Sequence, residues 1–381
     1  MAGKKHSDIT LIVICSILIV LGILILSSVS ATFSLEKFGS PFYFLSHQIF
    51  FGLIPGLILA FLISKIKISF LKKWSPLLLL LNLGLLGMVF LPKVGVSTGG
   101  ATRWVNLKII SLQPAEFLKL TFVIYLAAWL ASKTQPGQVS KKGFKHKEAS
   151  ADSFSSGSGL IAFLVLLILI SIFLILQPNI STLGVIVLVG ILMYFSAGTP
   201  LWHSILIVLI ASGGLLILLK TASYRTNRLL IFLNPELDPM GIGYQIKQAL
   251  IGIGSGGLFG LGLGMSRQKF GFLPQPMADT IFAILAEELG FIGGLILIFL
   301  FLIFLWRGIK IAKNSPDKFS QLLALGISSW ICLQAFINIG AMMRILPPTG
   351  IPLPFISYGG SHLIAELMGV GILLNLSKNT N

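Results

Sequence analysis

The chain has 381 residues, of which 55% are hydrophobic and only 10% are charged, and its net charge is +16. Its mean hydropathy is +0.95, and its apolar runs approach the roughly twenty residues that a helix needs to cross a bilayer. This composition excludes a soluble globular protein and predicts an all-α, polytopic integral membrane protein.

Ten apolar runs predict ten membrane-spanning helices in a single domain covering residues 1–381. In chain order they cover residues 9–29, 45–63, 74–91, 114–131, 159–176, 180–197, 200–219, 279–306, 320–343 and 359–376. The first run exceeds the roughly 7–15 apolar residues of a signal peptide, so it predicts a retained helix. The segment 134–158 is rich in Gly, Ser and Lys, which predicts a flexible cytoplasmic linker. Cys15 and Cys332 both lie in apolar runs, which argues against a disulfide framework or a thiolate metal site.

The basic residues collect in alternate segments between the runs, and this pattern predicts the orientation. Lys and Arg in short loops stay on the cytoplasmic side of a membrane, and here they lie at 4–5, 65–73, 133–147, 307–318 and 378. Both termini are therefore expected in the cytoplasm. Because this charge follows the membrane pattern and is not interleaved with aromatic residues in a soluble domain, it does not indicate a nucleic-acid partner.

The large loop between spans seven and eight, residues 220–278, is expected outside the membrane and breaks the charge pattern. It carries only two acidic residues, Glu236 and Asp238, and long loops cross membranes largely regardless of charge. Its basic residues are Lys220, Arg225, Arg228, Lys247, Arg267 and Lys269. This excess predicts an anionic partner outside. The alternative is a basic rim that rests on lipid phosphates.

A first polar cluster lies between spans three and four, on the outer side of this topology. Pro114 suits the first turn of the fourth span, where its missing N–H is not needed. Glu116 and Lys119, three residues apart on that helix, are close enough to pair, and the pair alone would fix helix packing. The functional alternative is contact with substrate phosphates, for which cationic donors are apt. Its candidate residues are Arg103, Gln113 and Lys119.

A second cluster occupies the large loop itself. Gly252, Gly254 and Gly257 match the G-x-G-x-x-G spacing, but no strand precedes them and no βαβ unit surrounds them, so a dinucleotide site is not predicted. These glycines permit close approach of the backbone either to a ligand or to a neighbouring helix, and both readings stay open. The candidate substrate-binding residues of this cluster are Gln245, Arg267 and Lys269.

Asp279 stands where the large loop meets the eighth span. Pro274 and Pro276 hold the approach extended. A carboxylate at the mouth of a membrane helix is an expensive placement that marks chemistry or transport, although an N-cap is the plain structural alternative. Farther along this span, Glu287 and Glu288 lie about 100° apart on the helix, so they cannot share a face and at least one of them needs a protein partner.

A third cluster separates spans nine and ten, from Asn338 to Ser361. Four prolines within eight residues cannot continue a helix; they are Pro347, Pro348, Pro352 and Pro354. Non-helical backbone near membrane depth must be buried in protein or line a wet cavity, and a plain structural turn is the alternative. Ser357 and Tyr358 are candidate substrate-binding residues, and the residues alone assign no role to Glu366.

On these residues the chain resembles the SEDS family of bacterial cell-wall polymerases, whose best-known branches are FtsW and RodA. The run from Asn338 to Ser361 is similar to the family signature, and Gly254 to Gly290 is similar to its outer loop and following helix. Residues 262–271 resemble the FtsW form of that loop. Two departures are Met277-Ala278, where His-Thr is usual before the Asp, and His362, where a small residue is usual.

The resemblance implies a glycosyltransferase that polymerises lipid II, an undecaprenyl-diphosphate-linked disaccharide peptide, on the outer face of the cytoplasmic membrane. Asp279 matches the family's essential Asp and is expected to take the proton of the acceptor hydroxyl, with inversion at the donor carbon. Arg103, Lys119 and the basic loop are expected to stabilise the diphosphate. No cofactor is expected, and any divalent cation is expected on the substrate rather than in a protein metal site.

The resemblance also implies a class B penicillin-binding protein transpeptidase and other division proteins as partners. Septal synthesis during cell division is expected from the FtsW-like loop, and a RodA-type elongation polymerase is the alternative. Two other functions stay open. A flippase for lipid II would need ligand access from both faces, and a non-catalytic scaffold would only recruit a partner.

Overall fold

The computed structural model describes residues 7–98, 101–106, 111–134, 157–221 and 223–378. In chain order the helices are α1 Ile9–Phe38, α2 Tyr43–Ile63, α3 Ile68–Met88, α4 Pro114–Thr134, α5 Ser158–Leu176, α6 Ile180–Ser196, α7 Leu201–Lys220, α8 Ser223–Leu233, α9 Ile242–Ser255, α10 Ile281–Asn314, α11 Lys318–Met342 and α12 Gly360–Ser377. The predicted linker at 134–158 falls almost wholly outside the described residues.

All ten predicted spans are confirmed as helices, namely α1 to α7 and α10 to α12. Nine of them are long and apolar enough to cross a membrane, and α6, with 17 residues, is shorter. Several extend beyond the apolar runs, since α1 continues to Phe38 and α10 to Asn314. Polar residues at the ends of a run do not stop a helix once it reaches the headgroup region, where water satisfies their side chains. The first helix begins at Asp8, whose carboxylate accepts from Leu11 N at 3.0 Å and pairs with Arg307.

The bundle is built around α4, α11 and α12, which are the most enclosed of the spans. Helix α11 packs along α10 and α4, and α12 packs along α2 and α4. Helices α3 and α7 keep most of their surface free of protein contact, as expected of helices that face lipid. Buried polar side chains lie on these three helices, such as Lys119, Gln334 and Glu366, and also on their neighbours α2 and α10, which carry Gln48 and Glu287.

A small antiparallel sheet between α3 and α4 was not predicted by the all-α assignment. It contains β1 Gly95–Thr98, β2 Ala101–Asn106 and β3 Ser111–Leu112 in that order. Alternating Thr102, Trp104 and neighbouring Val residues favour strands here. The sheet carries Arg103, whose guanidinium donates to the carbonyl oxygens of Gln177 and Pro178 at 3.2 and 2.5 Å. Arg103 thus fixes the turn between α5 and α6.

Helix α10 is broken at Gly290, which the sequence analysis treated as the middle of one apolar span. Gly290 has φ 70° and ψ −169°, a conformation that only glycine adopts readily. Two backbone hydrogen bonds on each side of the break join it to the glycine-rich segment after α9. Among them, Leu261 N donates to Glu287 O at 3.0 Å and Phe291 N donates to Gly257 O at 2.8 Å. A Cβ built on Gly260 would lie 2.7 Å from the nitrogen of Gly290. Gly260 thus packs closely against α10, whereas for Gly252, Gly254 and Gly257 the two readings stay open, since a Cβ on Gly254 or Gly257 would meet nothing within 4 Å.

Candidate active site

Asp279 lies at the end of the large loop, one residue before the N-cap of α10. That cap position is held by Thr280, and no side-chain oxygen accepts a capping hydrogen bond there. The Thr280 hydroxyl turns back toward the loop instead, at 3.0 Å from the carbonyl oxygens of Pro274 and Gln275. The alternative in which Asp279 serves only as an N-cap is wrong, because the helix begins at Ile281 and the Asp279 carboxyl has other partners.

Residues from α8, from α9 and from the non-helical segment between α11 and α12 surround the Asp279 carboxyl group. It is half-buried and accepts hydrogen bonds from the Gln245 side chain on α9 and from its own backbone N–H. A Cβ placed on Gly350 would lie 3.8 Å from its Oδ2, so the backbone of Gly350 lies directly beside the carboxyl group. Arg228 on α8 is the charged group that acts on it.

The balance of these effects raises the pKa of Asp279. Burial raises the pKa of Asp279 above its ordinary value near 3.8, and it outweighs the two hydrogen bonds and the Arg228 charge, which lower the pKa. A carboxyl group with a raised pKa is a stronger base once it is ionised. The site therefore presents a carboxylate suited to accept a proton from a hydroxyl group.

The backbone before Asp279 is fixed by side chains from the third polar cluster. The Asn338 amide donates to Asp279 O and to Ile351 O, each at 2.7 Å. The Ser357 hydroxyl donates to Ala278 O at 2.6 Å, and Tyr358 N donates to Met277 O at 2.8 Å. Residues 277 and 278 thus act here through carbonyl oxygens, which any residue supplies. This explains how Met277-Ala278 keeps the geometry of the site without the usual His-Thr.

The proline-rich segment after α11 is non-helical, as predicted, and residues 351–358 are buried or half-buried, whereas residues 343–346 and Gly350 are exposed. Its backbone groups are bonded by side chains from three helices. The Gln334 amide donates to Pro352 O at 3.1 Å, and Glu366 accepts from Phe355 N at 2.9 Å. Gln48 of α2 accepts from Gly359 N at 2.9 Å. Glu366, to which the sequence assigned no role, therefore holds this segment in place.

Ser357 and Tyr358, two candidate substrate-binding residues, are engaged with protein groups. Ser357 is fully buried, and its hydroxyl is bonded as described above. The Tyr358 hydroxyl lies 2.9 Å from Nδ1 of His47. Burial, together with the nearby Tyr43, raises the pKa of Tyr358 to about 12, so this hydroxyl stays protonated at neutral pH.

The structure pairs two of the predicted substrate cations with buried carboxylates. Lys119 is 2% exposed and forms the predicted ion pair with Glu116 at 2.7 Å. Lys269 is 5% exposed and lies 3.5 Å from Glu288. Neither lysine is among the groups that act on the Asp279 carboxyl. Both ammonium groups are compensated inside the protein because an unpaired charge at these depths would be costly.

The remaining candidates differ in exposure. Gln113 is half-buried at the start of α4, where its N–H donates to the Ser361 hydroxyl at 3.0 Å. Arg267 has an exposed side chain, as do Arg228 and Lys247. Gln245 is the predicted substrate-binding residue whose side chain hydrogen-bonds the Asp279 carboxyl group. The exposed cations of the loop thus remain available to an anionic ligand, whereas Arg103 is bound to carbonyl groups.

Sequence reasoning missed several residues that position the site. Asn338, Gln334 and Gln48 are amides inside apolar runs, a costly placement that indicates a buried hydrogen-bonding role. Arg228 was one of six basic residues in the loop, and nothing in the sequence distinguished it from the others. Within the described ranges, no three His, Cys, Asp or Glu side chains come together to hold a metal ion.

Comparison with known proteins places this site in a family. A family model described as "Cell cycle protein", for FtsW, RodA and SpoVE, matches residues 9–381. Stage V sporulation protein E of Bacillus subtilis is 41% identical over 379 residues, covering 99% of both chains. A probable peptidoglycan glycosyltransferase FtsW of Coxiella burnetii is 39% identical over 374 residues, covering 97% of this chain and 96% of the relative.

Solved structures agree with this relationship. One, reported as a peptidoglycan synthase complex that coordinates polymerization and crosslinking, matches with a TM-score of 0.74 at 26% identity over 98% of both chains. The rod shape determining protein RodA of Thermus thermophilus matches with a TM-score of 0.68 at 25% identity, over 98% of this chain and 97% of that one. Together with the ten-helix bundle and the Asp279 site, these likenesses show that the chain belongs to the FtsW/RodA/SpoVE family.

Proposed function

We propose that the chain is a peptidoglycan glycosyltransferase that polymerises lipid II into glycan strands. The observation that carries this function is the Asp279 carboxyl group, half-buried where α10 begins and bonded to Gln245. Relatives named peptidoglycan glycosyltransferase align with almost the whole chain, which supports the same activity here.

The reaction uses Asp279 as general base. The hydroxyl oxygen of the acceptor sugar attacks the anomeric carbon of the donor, and a C–O bond forms there. The bond between that carbon and the diphosphate oxygen breaks, and the electron pair leaves with the polyprenyl diphosphate. Asp279 takes the hydroxyl proton, and attack from the face opposite the leaving group inverts the donor carbon. General bases of this kind contribute on the order of 10²–10⁴ in rate.

The leaving diphosphate requires positive charge, and the exposed cations of the loop are placed to supply it. Arg228 already acts on the Asp279 carboxyl, and Arg267 and Lys247 are exposed on the same loop. A well-placed donor to developing negative charge contributes about 3–4 kcal/mol. Lys119 and Arg103 stabilise the fold around the site rather than the diphosphate, because their own polar contacts are with protein groups. A divalent cation, where present, travels with the substrate diphosphate.

The termini lie in the cytoplasm and Asp279 faces the outside of a bacterial cytoplasmic membrane. Two observations support this orientation. Basic residues concentrate at the ends of the helices away from Asp279, among them Lys65, Lys72 and Arg307, and such residues stay in the cytoplasm. The sheet and helices α8 and α9 gather at the Asp279 end, where they form the outer part of the molecule.

The partner is a class B penicillin-binding protein transpeptidase, within a group of other division proteins. A solved relative is a synthase complex that coordinates polymerization with crosslinking, and this supports a crosslinking partner here. Septal synthesis is the favoured setting because several relatives that are 35–39% identical are named probable peptidoglycan glycosyltransferase FtsW and residues 262–271 resemble the FtsW form of the loop. A sporulation protein is also 41% identical, so cell-wall synthesis during sporulation is a second setting.

The function is tested with purified protein and fluorescent lipid II. Wild-type protein is expected to make glycan, whereas Asp279→Asn is expected to bind lipid II and to polymerise it at least about a hundredfold more slowly. Glu236→Gln, an exposed carboxylate of the same loop, is the matched control and should polymerise normally. Normal glycan from Asp279→Asn would reject the mechanism. Leaflet exchange without polymer would indicate a flippase, and binding alone would indicate a scaffold.

A further inference from the structure

Two adjacent carboxylates, Glu287 and Glu288, bind one turn of the large loop from within the protein. Both side chains are 1% exposed. Glu287 accepts from Arg267 N at 3.1 Å and from Gln268 N at 3.3 Å, and Glu288 accepts from Ser266 N at 3.3 Å. Three successive N–H groups that converge on negative charge form an anion-binding nest, and here the anion belongs to the chain itself.

Side chains from other elements complete this arrangement. The Ser266 hydroxyl donates to Glu287, and the Ser255 hydroxyl at the end of α9, which donates to Gly252 O at 2.9 Å, lies 3.4 Å from the same carboxylate. Glu288 accepts from the Ser28 hydroxyl of α1 at 2.6 Å, and Lys269 lies 3.5 Å away. The two carboxylates therefore join α1, the end of α9 and the loop to α10. The prediction that at least one of them needs a protein partner is confirmed for both.

The position of this anchor relates it to the catalytic carboxyl group. Glu287 lies six residues after Ile281, where α10 begins just beyond Asp279, which is about 9 Å along the helix axis. Ser255 lies ten residues after Gln245, on the helix that brings Gln245 to Asp279. Helix α9 packs against α10, so the bonds at Glu287 fix one end of a helix pair whose other end holds the Gln245–Asp279 hydrogen bond.

We propose that Glu287 and Glu288 are positioning residues that set the contact between Gln245 and Asp279 by fixing α9 to α10. This inference rests on the proposed function of Asp279 and adds the means by which its geometry is maintained. The charged group beside the anchor is Lys269, 3.5 Å from Glu288, and Arg267 contributes only its main-chain N–H to Glu287. The charged group that acts on Asp279 is Arg228. Neutralising Glu287 therefore leaves the charges that act on Asp279 unchanged.

The test uses Glu287→Gln, which keeps the side-chain volume but places an amide N–H₂ among N–H donors. Because the Gln245 hydrogen bond lowers the pKa of Asp279, its loss is expected to move the acid limb of kcat/KM to higher pH. Gln245→Leu should cause the same shift. In the double variant no further shift is expected, since Glu287 acts through Gln245. The kcat value should fall on the order of tenfold to a hundredfold, as for a small displacement of a catalytic group.

If Glu287 had only a structural role, Glu287→Gln would lower the yield of folded enzyme but would not change the pH at which kcat/KM falls. An acid limb that stays at the wild-type pH in Glu287→Gln would overturn the proposal, and so would shifts that add in the double variant. If Glu287→Gln does not fold, Ser266→Ala removes one hydroxyl donor to Glu287 and carries the same expectations. Its control is Ser171→Ala, which removes a serine hydroxyl bond within α5.

A distance measurement separates this proposal from the proposed function. Nitroxide labels are placed at Lys247 on α9 and Ile296 on α10, both exposed, while Cys15 and Cys332 are buried and escape labelling. The distance distribution is expected to broaden in Glu287→Gln and to stay narrow in Asp279→Asn. An unchanged distribution in Glu287→Gln would overturn the anchor even if the enzyme polymerises lipid II. If the wild-type protein made no glycan while the distribution broadened, only the proposed function would fail.

Discussion

Removing one partner of the buried pair Glu116–Lys119 is expected to destabilise the bundle strongly. The ions are 2.7 Å apart, with side-chain exposures of 3% and 2%. At an effective dielectric constant of about 20 their attraction is about 6 kcal/mol, and removal of one ion from a buried pair typically costs about 3–5 kcal/mol. Glu116→Gln leaves the Lys119 ammonium with the Gln334 oxygen at 2.5 Å and the Trp330 ring centroid at 5.4 Å. We therefore expect a loss of about 3–5 kcal/mol in the free energy of unfolding.

The double variant Glu116→Gln/Lys119→Met tests whether the pair is structural. It removes both charges and keeps similar side-chain volumes, so it is expected to lie within about 1 kcal/mol of the wild type. Stability is measured by SDS titration in mixed micelles, and the KM for lipid II is measured on the folded protein. If the pair is only structural, the KM for lipid II should change by no more than about threefold. A stable double variant whose KM rises more than about tenfold would show that Lys119 binds substrate.

Two further predictions concern the loop and its helix. Burial raises the pKa of Asp279, and the base must be ionised to accept a proton. The kcat/KM of the wild type should therefore fall as the pH decreases through a value above 3.8. A fall in kcat/KM that occurs only at or below pH 3.8 would contradict the assignment of Asp279 as the base. Gly290→Ala should destabilise the protein by about 1–3 kcal/mol through backbone strain, because φ is 70° at this position. The new Cβ would also lie 2.6 Å from Leu258 O, and this clash adds to the loss. Gly84→Ala, whose Cβ would meet nothing within 4 Å, is the control for thermal unfolding and should be neutral or stabilising.

The spans and the position of Asp279 were predictable because they depend on local sequence. Apolar runs of about twenty residues fix where helices cross a membrane. An acidic residue between a Pro-rich loop and such a run is visible without structural information. The Glu116–Lys119 pair was likewise predictable, since residues three apart on a helix meet whatever surrounds them.

Contacts between distant residues were not predictable in this way. Lys269 and Arg267 are two residues apart in the loop, yet the first points into the protein toward Ser28 and Glu288 while the second is exposed. The break at Gly290 lies inside an apolar run whose composition predicts a continuous helix. It exists because a loop some thirty residues earlier in the chain supplies backbone bonds to it. Such contacts depend on how the helices pack together, which no short sequence pattern predicts.

The irregular segment after α11 has a consequence for biosynthesis. Its backbone is held by Glu366 on the last helix, and Gln113 at the start of α4 is bonded to Ser361 at the beginning of that helix. Ribosomes deliver α12 after the nine earlier spans, so a nascent chain that has inserted only those spans still lacks groups that shape the surroundings of Asp279. The Asp279 site is therefore expected to take its final geometry only after α12 has been made and inserted.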